Sequence, residues 1–129
     1  MNAKRLGLML ALLSLLLAAC SATSSASDPN KLHITREPQT FSPLVEKMEG
    51  RVDLVQKLYT HILSLPHAPA DQGCFALAGT KYQLTFFLDE TTLLTATADS
   101  GGCQTVTLGS NDVRAADQAV WQQIKQMLS

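Results

Sequence analysis

The stretch TKYQLTFFLDETTLLTATADSGGCQTVTL, residues 80–108, decides the fold. Thr80–Leu88 and Thr91–Ala98 are rich in threonine, aromatic and branched residues and alternate in polarity, the pattern of half-buried strands. Side-chain faces set the register, because a slip of one residue exchanges the two faces. A three-residue turn over Asp89-Glu90-Thr91 places Phe86 opposite Leu94, Leu84 opposite Ala96 and Tyr82 opposite Ala98. A two-residue turn sets Leu84 against Thr95 and mixes the faces. Asp99–Cys103 then reads as a five-residue turn that brings Leu108 beside Leu94 and Val106 beside Ala96. Tyr82, Leu84, Phe86, Leu94, Ala96, Val106 and Leu108 form the face to be buried. Gln83, Thr85, Phe87, Leu93, Thr95, Thr97, Thr105 and Thr107 form the other, a threonine grid with an apolar tip at Phe87 and Leu93. That second face is a candidate surface for a partner protein or an envelope polymer, although threonine also suits any exposed strand.

After the turn Gly109-Ser110-Asn111, Asp112–Ala116 reads as a short fourth strand, and Asp117 is placed to cap a final helix. Val120, Trp121, Ile124, Met127 and Leu128 recur at helical spacing, with Trp121 as the largest anchor. Before the sheet, Val52, Val55, Leu58, Tyr59, Ile62 and Leu63 make one apolar stripe opposite Arg51, Asp53, Gln56, Lys57 and Thr60, which predicts a helix over 51–64 that Pro66 stops. Residues 42–48 read as an extended arm or an earlier helical piece, with Ser42-Pro43 in the style of a helix start. Lys31–Glu37, with Leu32 and Ile34 on one face, reads as an edge strand ended by Pro38. The expected fold is α+β: a small antiparallel meander of three to four strands with two helices packed on one face.

The chain opens MNAKRLGLMLALLSLLLAAC. Lys4 and Arg5 precede a run, Leu6 to Leu17, that is short for a bilayer span and suited to the apolar core of an export signal. The run closes on Leu17-Ala18-Ala19-Cys20, which resembles the lipobox of bacterial lipoproteins. That resemblance implies a diacylglycerol on the Cys20 thiol, cleavage before Cys20, and acylation (palmitate or a similar chain) of the new amine. An ordinary signal peptide with an unrelated cysteine, or an uncleaved anchor, is the competing reading. The implied organisation is a signal peptide over 1–19, a lipidated cysteine and Ser/Thr/Ala-rich tether over 20–30, and one extracytoplasmic domain over 31–129. A serine after the lipidated cysteine suits the outer membrane of a two-membrane cell.

Removal of 19 of the 129 residues leaves 110, enough for one modest core. Lys4 and Arg5 leave with the signal, so 8 of the 10 basic residues remain against 11 acidic ones. This balance argues against nucleic acid and against a basic grip on anionic lipid. In an oxidising compartment the two other cysteines, Cys74 and Cys103, form an even pair, and a disulfide between them is expected. The loop it closes is worth roughly 3.5 kcal/mol in the chain-entropy model. Free thiols or a metal pair are the alternatives, the latter disfavoured by the lack of a neighbouring histidine.

From Phe41 onward the chain resembles an uncharacterised domain of bacterial secreted proteins and lipoproteins. The likeness rests on Phe41, Leu58-Tyr59, Leu65-Pro66, Cys74, Gly79–Phe86, Gly102–Val106, Arg114 and Trp121. It implies an extended segment over 42–48 and lends no catalytic residue.

No pattern asks for a cofactor or a metal. His33, His61 and His67 fall in three different elements, without metal spacing. Ser64 lacks a nucleophile-elbow setting. Asp89-Glu90 reads as a solvated turn, and Glu46, Glu49 and Asp53 as a solvated face rather than a calcium site. Arg114 reads as a structural residue, paired with Asp99 or Asp112 or capping the first helix. The expected role is non-enzymatic: a lipid-anchored binding, inhibitory or structural domain of the envelope. An accessory envelope enzyme requires two or more of His61, His67, Asp71, Arg114 and Glu90 to meet in one cleft. A small-ligand carrier requires an apolar cavity between sheet and helices. A Cys20→Ser variant is expected to remain uncut before residue 20 and to carry no lipid, read by intact mass.

Overall fold

The computed structural model describes residues 27–129, so the export signal and Cys20 lie outside the described residues. The chain forms β1 (Lys31–Arg36), β2 (Val45–Glu49), α1 (Val52–Ser64), β3 (Lys81–Leu88), β4 (Thr91–Asp99), β5 (Thr105–Leu108), β6 (Asp112–Ala115) and α2 (Gln118–Leu128). The strands make one antiparallel sheet in the order β2-β1-β3-β4-β5-β6. The fold is α+β as expected, with six strands instead of three to four.

Alternation builds the core. Leu32, Ile34, Tyr82, Leu84, Phe86, Ala96, Ala98, Val106 and Leu108 point to one face and are buried against Val55, Leu58 and Ile62 of α1 and Val120, Trp121, Ile124 and Met127 of α2. The Tyr59 and Phe86 rings meet at 5.2 Å and 60°, a tilted contact favoured by their quadrupoles. Trp121 lies with its ring in the core, and its Nε1 donates to Gln104 Oε1 at 3.2 Å, so the indole keeps a partner while buried.

Three local expectations are corrected. First, β1 is an interior strand between β2 and β3, and residues 45–49 are the edge strand beside it; the helical alternative for 42–48 is excluded. Ser42 lies in a tight turn bridged to Gln39. The charges of Glu46 and Lys47 keep that edge from recruiting another strand. Secondly, the β3–β4 turn is the two residues Asp89-Glu90. Phe86 still faces Leu94, because the register shifts after Phe86 and Leu93 is the extra, unpaired residue of a β-bulge. Thirdly, the β4–β5 turn spans residues 100–104, so Leu108 sits opposite Ala96 and Val106 opposite Ala98, two residues from the expected register. A shift of two leaves every side chain on its expected face.

Asp89 occupies the left-handed region at φ 53°. Asn30 supports it: its Oδ1 accepts from the Asp89 amide at 2.9 Å and its Nδ2 donates to Asp89 Oδ1 at 2.8 Å. Pro29 is buried and Asn30 is part of the folded unit. At the other end of the sheet, Gly79 packs on Gly101 so closely that a Cβ on either overlaps backbone. The disulfide between Cys74 and Cys103 lies beside this contact, with Cα atoms 5.2 Å apart.

The sharp link from β2 into α1 is held by an ion pair. Glu49 is 4 % exposed, on the helix face of the sheet, where the sequence suggested a solvated residue. Its carboxylate accepts from Arg51 Nη2 at 2.6 Å, Arg51 Nε at 3.0 Å and the Arg51 amide at 2.9 Å. These bonds to the charged form outweigh burial and lower its pKa to about 2. The depressed pKa makes the pair stabilising above the unfolded carboxylate range near pH 4.3, and that contribution is lost as pH falls toward 2. A Glu49→Gln variant is expected to lose about 1.5–3 kcal/mol at neutral pH and to show a flatter acid limb between pH 4 and 2, measured by urea unfolding across pH.

Candidate functional surface

Because both helices cover one side of the sheet, the other side is bare of secondary structure among the described residues. The register places Gln83, Thr85 and Phe87 of β3, Thr95 and Thr97 of β4, and Thr105 and Thr107 of β5 on that open side, as expected. The two added strands widen it with His33 and Thr35 of β1, and Glu46 and Met48 of β2. On the far flank β6 adds Val113 and Ala115. Neighbouring side chains sit about 4.8 Å apart across strands and about 6.7 Å apart along them.

Hydroxyls and methyls share this face. Thr97 Oγ1 donates to Gln83 Oε1 at 3.0 Å, and Gln83 Nε2 donates to Glu37 Oε1 at 3.2 Å, which fixes the amide. The hydroxyls of Thr85, Thr95, Thr105 and Thr107 have no protein partner among the described residues, and Thr95 is exposed. His33 Nε2 meets Glu46 Oε1 at 3.0 Å across β1 and β2. Phe87 is half-buried opposite Thr92, and Leu93 is half-buried in the bulge, so the expected apolar tip is broken up by the irregular end of the hairpin.

The chemistry-bearing residues outside this face are engaged structurally. Arg114 lies on the helix face of β6. Its Nε and Nη2 donate to the two Asp112 carboxylate oxygens at 2.7 and 2.8 Å, and Nη1 donates to the Leu65 and Leu63 carbonyls at 2.8 and 3.2 Å. The guanidinium both pairs with Asp112 and caps the end of α1, joining two of the roles open to it. The Arg114 guanidinium holds the Asp112 carboxyl below its ordinary range. His67 Nδ1 also reaches Asp112, at 3.2 Å, but its side chain is 76 % exposed. His67 and Arg114 therefore meet on one carboxylate, while His61 pairs with Asp117 and Glu90 with Lys31.

His61 pairs with Asp117 across the helix junction, Nε2 lying 2.9 Å from each carboxylate oxygen. Asp117 Oδ1 also accepts from the Val120 amide at 3.1 Å, the expected helix cap. Burial raises the Asp117 carboxyl, yet the His61 and Val120 bonds outweigh it and hold it below the usual carboxylate value. Nothing in the sequence marked this pair, since its members lie 56 residues apart. Ser64 Oγ donates to the His61 carbonyl at 2.7 Å, so serine and imidazole are not arranged as nucleophile and base. The His61 junction borders a shallow groove of about 470 Å³ between α1 and α2, and a second, of about 290 Å³, lies between Thr80, Ser100 and Trp121.

Among the described residues no group of three His, Cys, Asp or Glu is arranged to hold a metal ion, and no helix is long and apolar enough to cross a membrane. No protein-family model, curated protein or solved structure matches the chain. Replacing Asp117 by alanine removes the cap and the His61 partner together and is expected to cost about 1–2 kcal/mol, read as a lowered thermal midpoint with β-sheet circular dichroism retained.

Proposed function

We propose that this chain is a lipid-anchored, non-catalytic binding domain of the cell envelope that engages a partner protein or an envelope polymer through its open sheet face. One observation carries the reading. Among the described residues, the six-stranded sheet has its packing on one side, while the other side presents Thr85, Thr95, Thr105 and Thr107 with unengaged hydroxyls in a regular array. Such a surface offers short, stiff side chains that lose little rotamer freedom on contact, together with donors and acceptors at strand spacing. It is broad and shallow, which suits an extended partner over a small molecule.

The lipobox-like Cys20 and the signal-like run before it support the anchoring part of the proposal. The Cys74–Cys103 disulfide agrees with an oxidising compartment. The enzymatic alternative is supported only by the meeting of His67 and Arg114 at Asp112, and there the guanidinium is committed to a carboxylate and two carbonyls. Thr95→Lys combined with Thr105→Lys places two charged side chains on the face without touching the core. In pull-downs from envelope extracts this variant is expected to lose the partners that the parent retains; an unchanged partner set counts against the face.

A further inference from the structure

One end of the sheet carries four large apolar side chains that the fold leaves in water. Phe41 (98 % exposed) and Leu44 (55 %) stand on the β1–β2 loop, and Phe75 (85 %) and Leu77 (68 %) stand on the segment leading to β3. The two segments are tied together, since Gln39 Nε2 donates to the Gly79 carbonyl at 2.8 Å. Behind them the Gly102 amide donates to the Leu77 carbonyl at 3.1 Å, and Cys74 is bonded to Cys103. Neither cysteine belongs to the core cluster. The disulfide therefore fastens the loop that displays Phe75 and Leu77, and does so next to a glycine–glycine contact that admits no side chain.

Residues 38–44 (PQTFSPL) and 73–79 (GCFALAG) contain no charged residue. Two phenylalanines and two leucines at one end of the sheet expose a summed apolar area on the order of 500 Å², more than singly scattered surface residues account for. They stand on two separate segments, one before β2 and one before β3. A fluid hydrocarbon boundary accepts such separate projections, whereas a folded partner needs a matching contour.

We propose that this end of the sheet inserts into the interface of a lipid bilayer as a second point of attachment. The proposal rests on the lipid-anchor reading for its setting. The chain enters the domain at Asn30, at the opposite end of β1. The six residues of β1 span about 20 Å. Residues 20–29, fully extended, reach up to about 33 Å. The tether is thus long enough for the anchor and the apolar end to meet the same membrane. With no cation on either segment, insertion is driven by apolar burial, so it needs no anionic lipid and is insensitive to salt.

The unlipidated domain, residues 21–129, serves as the probe, because its core lies wholly between Pro29 and Leu128. It is expected to float with phosphatidylcholine vesicles, with binding unchanged by added salt. Phe41→Ser with Phe75→Ser is expected to lower the partition coefficient by about tenfold or more, with near-ultraviolet circular dichroism unchanged. A Phe75→Trp variant is expected to shift its emission to the blue on vesicles and to be quenched by brominated acyl chains. Absence of flotation, flotation that the double variant retains, or an unquenched Phe75→Trp overturns the proposal. A dimer that forms with concentration and disappears in Phe41→Ser also overturns it, assigning the patch to a second copy of the chain. The assay contains no anchor, so its failure leaves the Cys20 reading standing. A Cys20→Ser chain that is still cut at the same bond removes that reading and leaves this proposal standing.

Discussion

The structure depends on the demand that a single apolar sheet face be covered completely by two helices. Leu32, Ile34, Leu84 and Phe86 supply bulk on β1 and β3, while Ala96 and Ala98 keep β4 low, which leaves room for the large side chains of the helices. Burial of these side chains supplies most of the driving force, at about 25 cal/mol for each Å² of apolar surface removed from water. Short strands and helices of 13 and 11 residues are too brief to persist alone. Each element is stable only because the others close its apolar side.

Polar junctions then fix how the helices lie. Glu49 and Arg51 set the departure of α1 from β2, Arg114 receives its end, and Asp117 with His61 joins the start of α2 to the last turns of α1. These bonds work at helix termini, where backbone groups lack intrahelical partners. They engage His61 and Arg114, two of the five residues that an enzymatic cleft would need. Among the described residues, the opposite sheet face is the one that no helix covers.

The outline of this arrangement was legible in the sequence because alternation and helical spacing report burial directly. The helices, the β3–β4–β5 meander and, Leu93 apart, the membership of both sheet faces followed from it, while the Cys74–Cys103 pairing followed from the cysteine count and the Asp117 cap from residue type. What was misread has a common physical origin. In a sheet that is open on one side, an interior strand shows the same one-sided alternation as an edge strand, so Leu32 and Ile34 did not distinguish the two positions for β1. Val45 and Met48 are spaced as well for a helix turn as for a charged edge strand. A two-residue turn with a bulge at Leu93 and a three-residue turn both restore the same facing of Phe86 and Leu94, and a two-residue shift at β5 is silent to any argument from faces. The contacts of Glu49 and of His61 with Asp117 depend on how the elements are placed in space, which local pattern does not carry. The N-terminal reading concerns residues outside the described part and remains a proposal.

The position of β1 has a mechanical consequence. The first strand of the domain is hydrogen-bonded on both sides, to β2 and to β3, and the preceding residue, Asn30, is bonded to Phe87 and Asp89. Tension arriving through the N-terminal chain acts along this strand, while its ladder bonds lie across the direction of pull. The two ladders are then loaded in shear, so that many bonds must yield together instead of peeling off one after another. A pull on this strand is therefore met by both neighbouring strands at once, and the domain keeps its shape until the two ladders give way together.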